Sequence, residues 1–208
     1  MSEITLTPAQ MAAVEIQGVT RSAFILKGAL AAGAVYGAGV VGPFVNQALA
    51  QGGGDIAILN FALTLEHLEA NFYKDALSKA GLSGDVKSLA EEIGANEQEH
   101  VTALTSTIKN MGGKPDPAPK TSFPLKDEKS FLKLAVVLED TGVSAYNGAA
   151  PSIKALAVLA AAGGIVQVEA RHAAAIRLVA GEDPSPDAFD KTLEMDEVLK
   201  AVKPFVSA

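Results

Sequence analysis

The sequence predicts an all-α protein: an antiparallel bundle of four helices, one long crossover between the second and third, and a short helix near the carboxyl end. Three observations predict this class. Alanine, the strongest helix former, accounts for 37 of the 208 residues. Aromatic residues make up only 5%, and tryptophan is absent from the sequence. Four long segments carry apolar residues at helical spacing, and glycine or proline separates them.

The four long helices are predicted from the spacing of their apolar residues and from the residues that stop them. Gly81, Gly112, Pro151 and Gly181 stand where the apolar spacing ends. The predicted helices are residues 55–80, 83–110, 128–149 and 153–180, followed by a short helix at 188–202.

A proline-rich stretch after the second helix predicts the crossover. Prolines interrupt residues 111–127, so this segment cannot continue a helix. Fully extended, 17 residues reach roughly 55 Å, whereas a helix of about 25 residues is roughly 38 Å long. The segment can therefore run the whole length of the bundle.

Charge and cysteine content exclude several functions. The chain has 17 Lys+Arg against 24 Asp+Glu, a net charge of −7 and a pI near 5.0. Nucleic-acid binding is not expected, because it requires a basic surface. The absence of cysteine excludes disulfides, thiolate zinc sites, iron–sulfur clusters and thiol nucleophiles. Any bound metal must therefore be held by carboxylates and imidazoles.

The first fifty residues differ from the rest of the chain. Arg21 and Lys27 precede a small, apolar run that ends at Val41, and Ala48-Leu49-Ala50 follows. This order is typical of an export signal, here cleaved after Ala50. The alternative is an uncleaved membrane anchor, since the run is just long enough to span a bilayer. We predict a periplasmic, cell-envelope or secreted protein, without stable membrane association once the signal is cleaved.

These patterns divide the chain into three parts. We predict an export signal or anchor at residues 1–50, the helical bundle at 51–183, and a tail containing the short helix at 184–208.

One metal-binding pattern occurs twice, in the apolar stripes of the second and fourth predicted helices. Glu97 and His100 form Glu-x-x-His in the second helix, and Glu169 and His172 repeat it in the fourth. A spacing of three residues places both side chains on one face of a helix. Two helices are thus predicted to present matching carboxylate–imidazole pairs to the core.

The first and third helices share a second repeat. Glu66 lies on an apolar face with Tyr73 seven residues later, and Glu139 and Tyr146 repeat this arrangement. The offset is 73 residues for these pairs and 72 for the Glu-x-x-His motifs. The chain therefore consists of two copies of a helix pair. Glu69, one turn after Glu66, is an alternative ligand, but the offset and the tyrosine spacing favour Glu66.

The charges of these side chains indicate metal. Four carboxylates and two imidazoles set among apolar residues would cost several kcal/mol per uncompensated ion. Two divalent cations would neutralise the four carboxylates. The competing explanations are solvated helix faces or hydrogen bonds within the core.

The motif pattern resembles a known superfamily. A Glu from each of two helices and Glu-x-x-His from each of the other two is the arrangement of ferritin-like dinuclear carboxylate bundles. The resemblance covers about residues 55–180 and implies a ferritin-like four-helix bundle. The segment 59–73, LNFALTLEHLEANFY, further resembles the exported bacterial branch of ferritin-like domain proteins, some of which are linked by name to desiccation.

The resemblance implies roles for the candidate residues. Glu97 and Glu169 would bridge two metals. The other four ligands would form two pairs, one for each metal: Glu66 with His100, and Glu139 with His172. Tyr73 and Tyr146 match positions that hydrogen-bond the ligands, although amphipathic core packing explains both tyrosines equally well.

The expected cofactor is two iron ions or, alternatively, two manganese ions, because carboxylates and imidazoles suit these metals. The resemblance implies oxidation of Fe(II), or removal of hydrogen peroxide, with O2 or peroxide as the reacting partner, in stress protection. Manganese catalase-like activity uses a similar ligand arrangement.

Two further hypotheses compete with enzymatic activity. In one, an exported stress- or desiccation-related helical protein uses the metal site structurally or retains it without turnover. In the other, no metal binds, and the buried carboxylates destabilise the fold. Small interhelical residues would also allow a homodimer.

Overall fold

The computed structural model describes residues 54–207, and this part of the chain is a bundle of helices. The all-α class is confirmed. The predicted export signal or anchor lies outside the described residues. Five α-helices are observed: α1 Gly54–Lys79, α2 Gly84–Asn110, α3 Glu128–Ala149, α4 Leu156–Ala180 and α5 Met195–Val202.

The bundle consists of two hairpins, as the internal repeat predicts. Helix α1 packs mainly against α2, and α3 packs mainly against α4. Residues 111–127 connect the hairpins. Within residues 54–207, no helix is both long and apolar enough to cross a membrane.

Two apolar clusters divide the core along the helix axes. The first is built around Phe72, Phe131 and Ile176, and the second around Leu63 and Ile108. On each long helix the candidate ligands lie between the residues of these two clusters. The site is therefore enclosed by apolar packing on both sides, where burial removes water from around the charged groups.

The helix ends follow from local chemistry. Gly112 and Gly181 adopt φ angles of 77° and 76°, a left-handed conformation that glycine tolerates best and that commonly ends a helix. Asp127 caps α3 by accepting a hydrogen bond of 2.8 Å from the backbone N–H of Ser130. Just before α4, Asp55 of α1 accepts hydrogen bonds from the backbone N–H groups of Lys154 and Ala155, so that this end of the bundle is joined to α1.

The beginning of the fourth helix differs from the prediction. Helix α4 starts at Leu156 rather than at Ile153, since residues 150–152 form a 3-10 turn containing Pro151. From Leu156 the α-helix continues through Gly163 and Gly164 to Ala180.

The prediction of one short helix over 188–202 is wrong in its first half. Helix α5 begins only at Met195, where Glu194 and Glu197 form a capping box. Before it, the backbone N–H of Leu193 donates to the carbonyl of Ser144 in α3. This hydrogen bond holds the segment before α5 against the bundle.

The chain end then pairs with the crossover. Strand β1, Lys120–Thr121, runs antiparallel to β2, Val206–Ser207. This two-residue pairing was not predicted from the sequence. It attaches the carboxyl-terminal segment to the connection between the hairpins.

Candidate metal centre

Six side chains, one from each of α1 and α3 and two from each of α2 and α4, meet in the middle of the bundle. All six are those predicted from the motifs: Glu66, Glu97, His100, Glu139, Glu169 and His172. The four glutamates are 0% exposed, whereas the side chains of His172 and His100 are 6% and 12% exposed.

These side chains form two overlapping groups of four. In each group, one ligand atom from every residue lies within 4.8 Å of the others. Glu97 and Glu169 belong to both groups. The remaining members divide into two pairs, Glu66 with His100 and Glu139 with His172. This division is the one that the family resemblance implies.

In the first group the carboxylates surround one nitrogen of His100. Its Nδ1 lies 3.1 Å from Glu66 Oε2 and 3.3 Å from Glu97 Oε2. It lies 2.9 Å from Glu169 Oε1. Three carboxylates from three different helices thus converge on a single imidazole nitrogen.

The second group repeats this arrangement around His172. Its Nδ1 lies 2.9 Å from Glu97 Oε1, 3.4 Å from Glu139 Oε2 and 3.7 Å from Glu169 Oε2. Glu97 and Glu169 therefore each direct one oxygen to each imidazole. The two ring centroids are 6.2 Å apart.

Both tyrosines hydrogen-bond across the bundle. Tyr73 of α1 donates its hydroxyl to Glu139 of α3, and Tyr146 of α3 donates to Glu66 Oε1 of α1 at 2.5 Å. Each bond joins the two halves of the internal repeat. Tyr73 and Tyr146 are also buried. Each tyrosine thus both hydrogen-bonds a candidate ligand and packs in the core.

Several polar atoms of the site make no hydrogen bond of acceptable geometry, although imidazole nitrogens and carboxylate oxygens lie within 4 Å of one another. Within residues 54–207 this holds for Glu97 Oε1, Glu139 Oε2, both carboxylate oxygens of Glu169 and His172 Nδ1. Buried polar atoms in folded proteins are nearly always satisfied, and each exception needs an explanation. All five atoms belong to the six converging side chains. The donor set and its unsatisfied atoms therefore fit cations held between the helices.

Burial and mutual repulsion shift the ionisation of the carboxylates. Burial and the charge of Glu169 raise the pKa of Glu97 well above its usual range. Burial raises the pKa of Glu139 to about 7, although His172 acts to lower it. Burial also acts on Glu169, but contacts with the two imidazoles outweigh it and lower that pKa to about 2. Without metal, this cluster holds several buried ionisable groups close together, which costs free energy of folding.

Two further residues lie next to the site. The side-chain amide of Asn96 lies 3.1 Å from His172 Nε2, the ring nitrogen that does not face the carboxylates. No sequence signal pointed to Asn96. Glu69, the alternative to Glu66 in the sequence, is only 3% exposed and lies close to the candidate ligands. It shares a helix face with Glu66, three positions earlier.

The other ionisable residues near the motifs lie outside the two groups of candidate ligands. Glu91, Glu92 and Glu99 are exposed on α2. His67 is partly buried beside Glu66, and burial lowers its pKa. None of these four residues belongs to either group of candidate ligands.

A family model described as the ferritin-like domain matches residues 54–182. The chain therefore belongs to the ferritin-like domain family. A search among curated proteins found no match.

Proposed function

We propose that the six converging side chains bind two metal ions. The observation that supports this most strongly is the pair of overlapping four-residue groups that share Glu97 and Glu169. Each group offers three carboxylates and one imidazole. With both groups filled, two divalent cations would balance the four carboxylates of the set, and the buried polar atoms would gain partners.

Iron is the proposed metal, and manganese is the alternative. Carboxylate oxygens and neutral imidazole nitrogens favour these ions, whereas soft thiolate or thioether ligands would favour copper(I). Glu97 and Glu169 would bridge the ions. Glu66 and His100 would complete one position, and Glu139 and His172 the other.

The proposed reaction is oxidation of Fe(II) or removal of hydrogen peroxide. Two Fe(II) ions would supply the two electrons that reduce hydrogen peroxide to two waters, with two protons taken up and both ions left as Fe(III), so repeated turnover with iron would need an external electron donor. A manganese pair would support catalase-like turnover. The tyrosine hydroxyls would hold Glu66 and Glu139 in place. The apolar clusters on both sides would exclude bulk water.

Access to the centre is proposed from the side of His100. This imidazole is the most exposed of the six side chains, at 12%, whereas the four glutamates are fully covered. A small oxidant such as O2 or hydrogen peroxide is the kind of partner that such a restricted opening admits. In an exported protein, this reaction would serve in stress protection.

A structural metal site is the second candidate. The near-complete burial of the six side chains favours it, since structural metal sites are closed and catalytic ones keep an open position. In this case the metals would stabilise an exported helical protein without turnover.

Peroxide consumption separates the two candidates. The full-length protein, loaded with Fe(II) or with Mn(II), should consume peroxide, and the Glu97→Gln/Glu169→Gln variant should not. The control is Glu99→Gln, which removes an exposed carboxylate from the helix that carries Glu97 and should behave as the wild type. If the metal-loaded wild type shows no turnover with either metal but melts at a higher temperature than its metal-free form, the structural role is correct.

A further inference from the structure

A fifth carboxylate, that of Glu69, lies against the site. Glu69 follows Glu66 by one helical turn on α1, and its side chain is 3% exposed. Among residues 54–207, no hydrogen bond or ion pair to its carboxylate is found. Buried glutamates are uncommon unless they are paired or bind a metal, so this side chain requires an explanation.

Gly142 on α3 shows where the Glu69 carboxylate lies. A Cβ atom placed on Gly142 would be 3.1 Å from Glu69 Oε1 and 3.7 Å from Glu169 Oε2. Both carboxylate oxygens therefore lie close to one point on the surface of α3. The missing side chain at this position provides the space that Glu69 fills.

The internal repeat makes this pairing significant. The offset of 73 residues that relates Glu66 to Glu139 also relates Glu69 to Gly142. One half of the repeat thus carries a carboxylate where the other half carries no side chain. A Cβ at Gly142 would already crowd Glu69, so a side chain at this position would require the Glu69 carboxylate to move. The site therefore has a single additional carboxylate, on one half of the repeat only, and this breaks its symmetry.

Glu69 lies on the side of His172. The point on α3 that it approaches is close to Glu169 Oε2, the oxygen of Glu169 that faces His172. Burial raises the pKa of Glu69 well above its usual range, and the charges of Glu169, Glu97, Glu139 and Glu66 add to this rise in decreasing order.

We propose that Glu69 is a seventh protein ligand, serving the metal position of Glu139 and His172. This inference rests on the dinuclear centre proposed above. In the present arrangement the Glu69 carboxylate stands outside both four-residue groups, so binding requires its side chain to turn within the space beside Gly142. The two metal positions are then inequivalent, with one more carboxylate donor at the position of His172 than at that of His100.

Anaerobic calorimetric titration of the full-length protein with Mn(II) tests this. The expected result for Glu69→Gln is that one of two sites weakens by at least about tenfold while the other keeps its wild-type affinity. Gly142→Ala keeps every charge but crowds Glu69, and it should weaken the same site. Glu99→Gln is the control. Circular dichroism establishes that each variant is folded.

Mössbauer spectroscopy of the Fe(II)-loaded proteins gives a second readout. The wild type should show two distinct iron environments, and Glu69→Gln should show environments that are more alike. The proposal is overturned if Glu69→Gln and Gly142→Ala both bind two ions with wild-type affinities and spectra. Failure of the wild type itself to bind two ions would instead overturn the dinuclear centre on which the proposal rests.

Discussion

Tyr146 on α3 donates its hydroxyl to Glu66 on α1, with 2.5 Å between the two oxygen atoms. Tyr73 on α1 makes the reciprocal bond to Glu139 on α3. The carboxylates of Glu66 and Glu139 therefore each accept a hydrogen bond from the tyrosine of the other half of the internal repeat. The two helix hairpins are joined by polar bonds at their centre as well as by apolar packing.

Replacing Tyr146 with phenylalanine should weaken both the fold and the metal centre. The change leaves a buried oxygen of Glu66 without its donor, so the free energy of unfolding of the metal-free protein should fall by about 1 to 3 kcal/mol. Metal affinity should fall by about 10- to 100-fold, as when an outer hydrogen-bond partner of a ligand is removed. Thermal denaturation and metal titration measure the two effects. Equal metal affinity in Tyr146→Phe, Tyr73→Phe and the wild type would show that the tyrosines only fill the core.

The stabilisation by metal should increase with pH. In the metal-free protein the pKa of Glu139 is about 7, above its usual value of 4.5, so the folded state binds more protons than the unfolded state between these values. The contribution of Glu139 to metal-free stability therefore falls as pH rises through this range. Metal binding requires the ionised carboxylate and releases the proton.

Melting temperatures of metal-free and Mn(II)-loaded protein across this pH range check the prediction. The difference between them should grow from about pH 5 to about pH 7. A difference that stays constant, or that shrinks as pH rises, would contradict the assignment of Glu139 as a ligand that must lose a proton.

Asp55 should be important for stability but not for metal binding. Its two carboxylate oxygens accept hydrogen bonds of 2.9 Å and 2.8 Å from the backbone N–H groups of Lys154 and Ala155. Asp55→Ala leaves both backbone donors without this acceptor and should lower the free energy of unfolding by about 2 kcal/mol. Asp55→Asn keeps one acceptor and should cost less. Chemical denaturation measures both changes, and the folded variants should bind the same number of metal ions as the wild type.

Gly148 should be intolerant of a side chain. A Cβ at this position would overlap the backbone carbonyl of Leu193, which lies directly against α3. Gly148→Ala should therefore displace the carboxyl-terminal segment and destabilise the fold by about 1 to 3 kcal/mol. Limited proteolysis should then cleave the segment around Leu193 faster than in the wild type.

Gly163→Ala is the matched control, because a Cβ on Gly163 meets no atom within 4 Å. It lies within α4, where alanine is favoured over glycine, and should stabilise the protein by up to about 1 kcal/mol. If Gly148→Ala is equally stabilising, the close packing of Leu193 on α3 is incorrect.

Local sequence patterns predicted the long helices because their stop signals act locally. Gly81, Gly112 and Gly181 end helices through backbone conformation, and α3 was predicted over the residues that it occupies. The helix at the carboxyl end was predicted to begin at residue 188, but α5 begins at Met195. The residues before it contact Ser144 and Gly148 through Leu193, and such contacts between distant segments cannot be predicted from a local pattern. The same reason applies to the pairing of β1 with β2.

The candidate site could be predicted from spacing because its residues repeat at a constant offset. The partners of the tyrosines could not be, as they lie on another helix, 80 residues away in the case of Tyr146. The burial of Glu69 depends on the absence of a side chain at Gly142, a relationship between two helices that the periodicity of a single helix does not contain.

The number of metal ions bound per chain is the most direct test of the proposed dinuclear centre. Full-length protein should be titrated anaerobically with Fe(II) and with Mn(II), followed by elemental analysis after removal of unbound metal. We expect about two ions per chain for at least one of these metals and none retained by Glu97→Gln/Glu169→Gln, because Glu97 and Glu169 are common to both four-residue groups. Failure of the folded wild type to retain either metal, or full retention by the double variant, would contradict it.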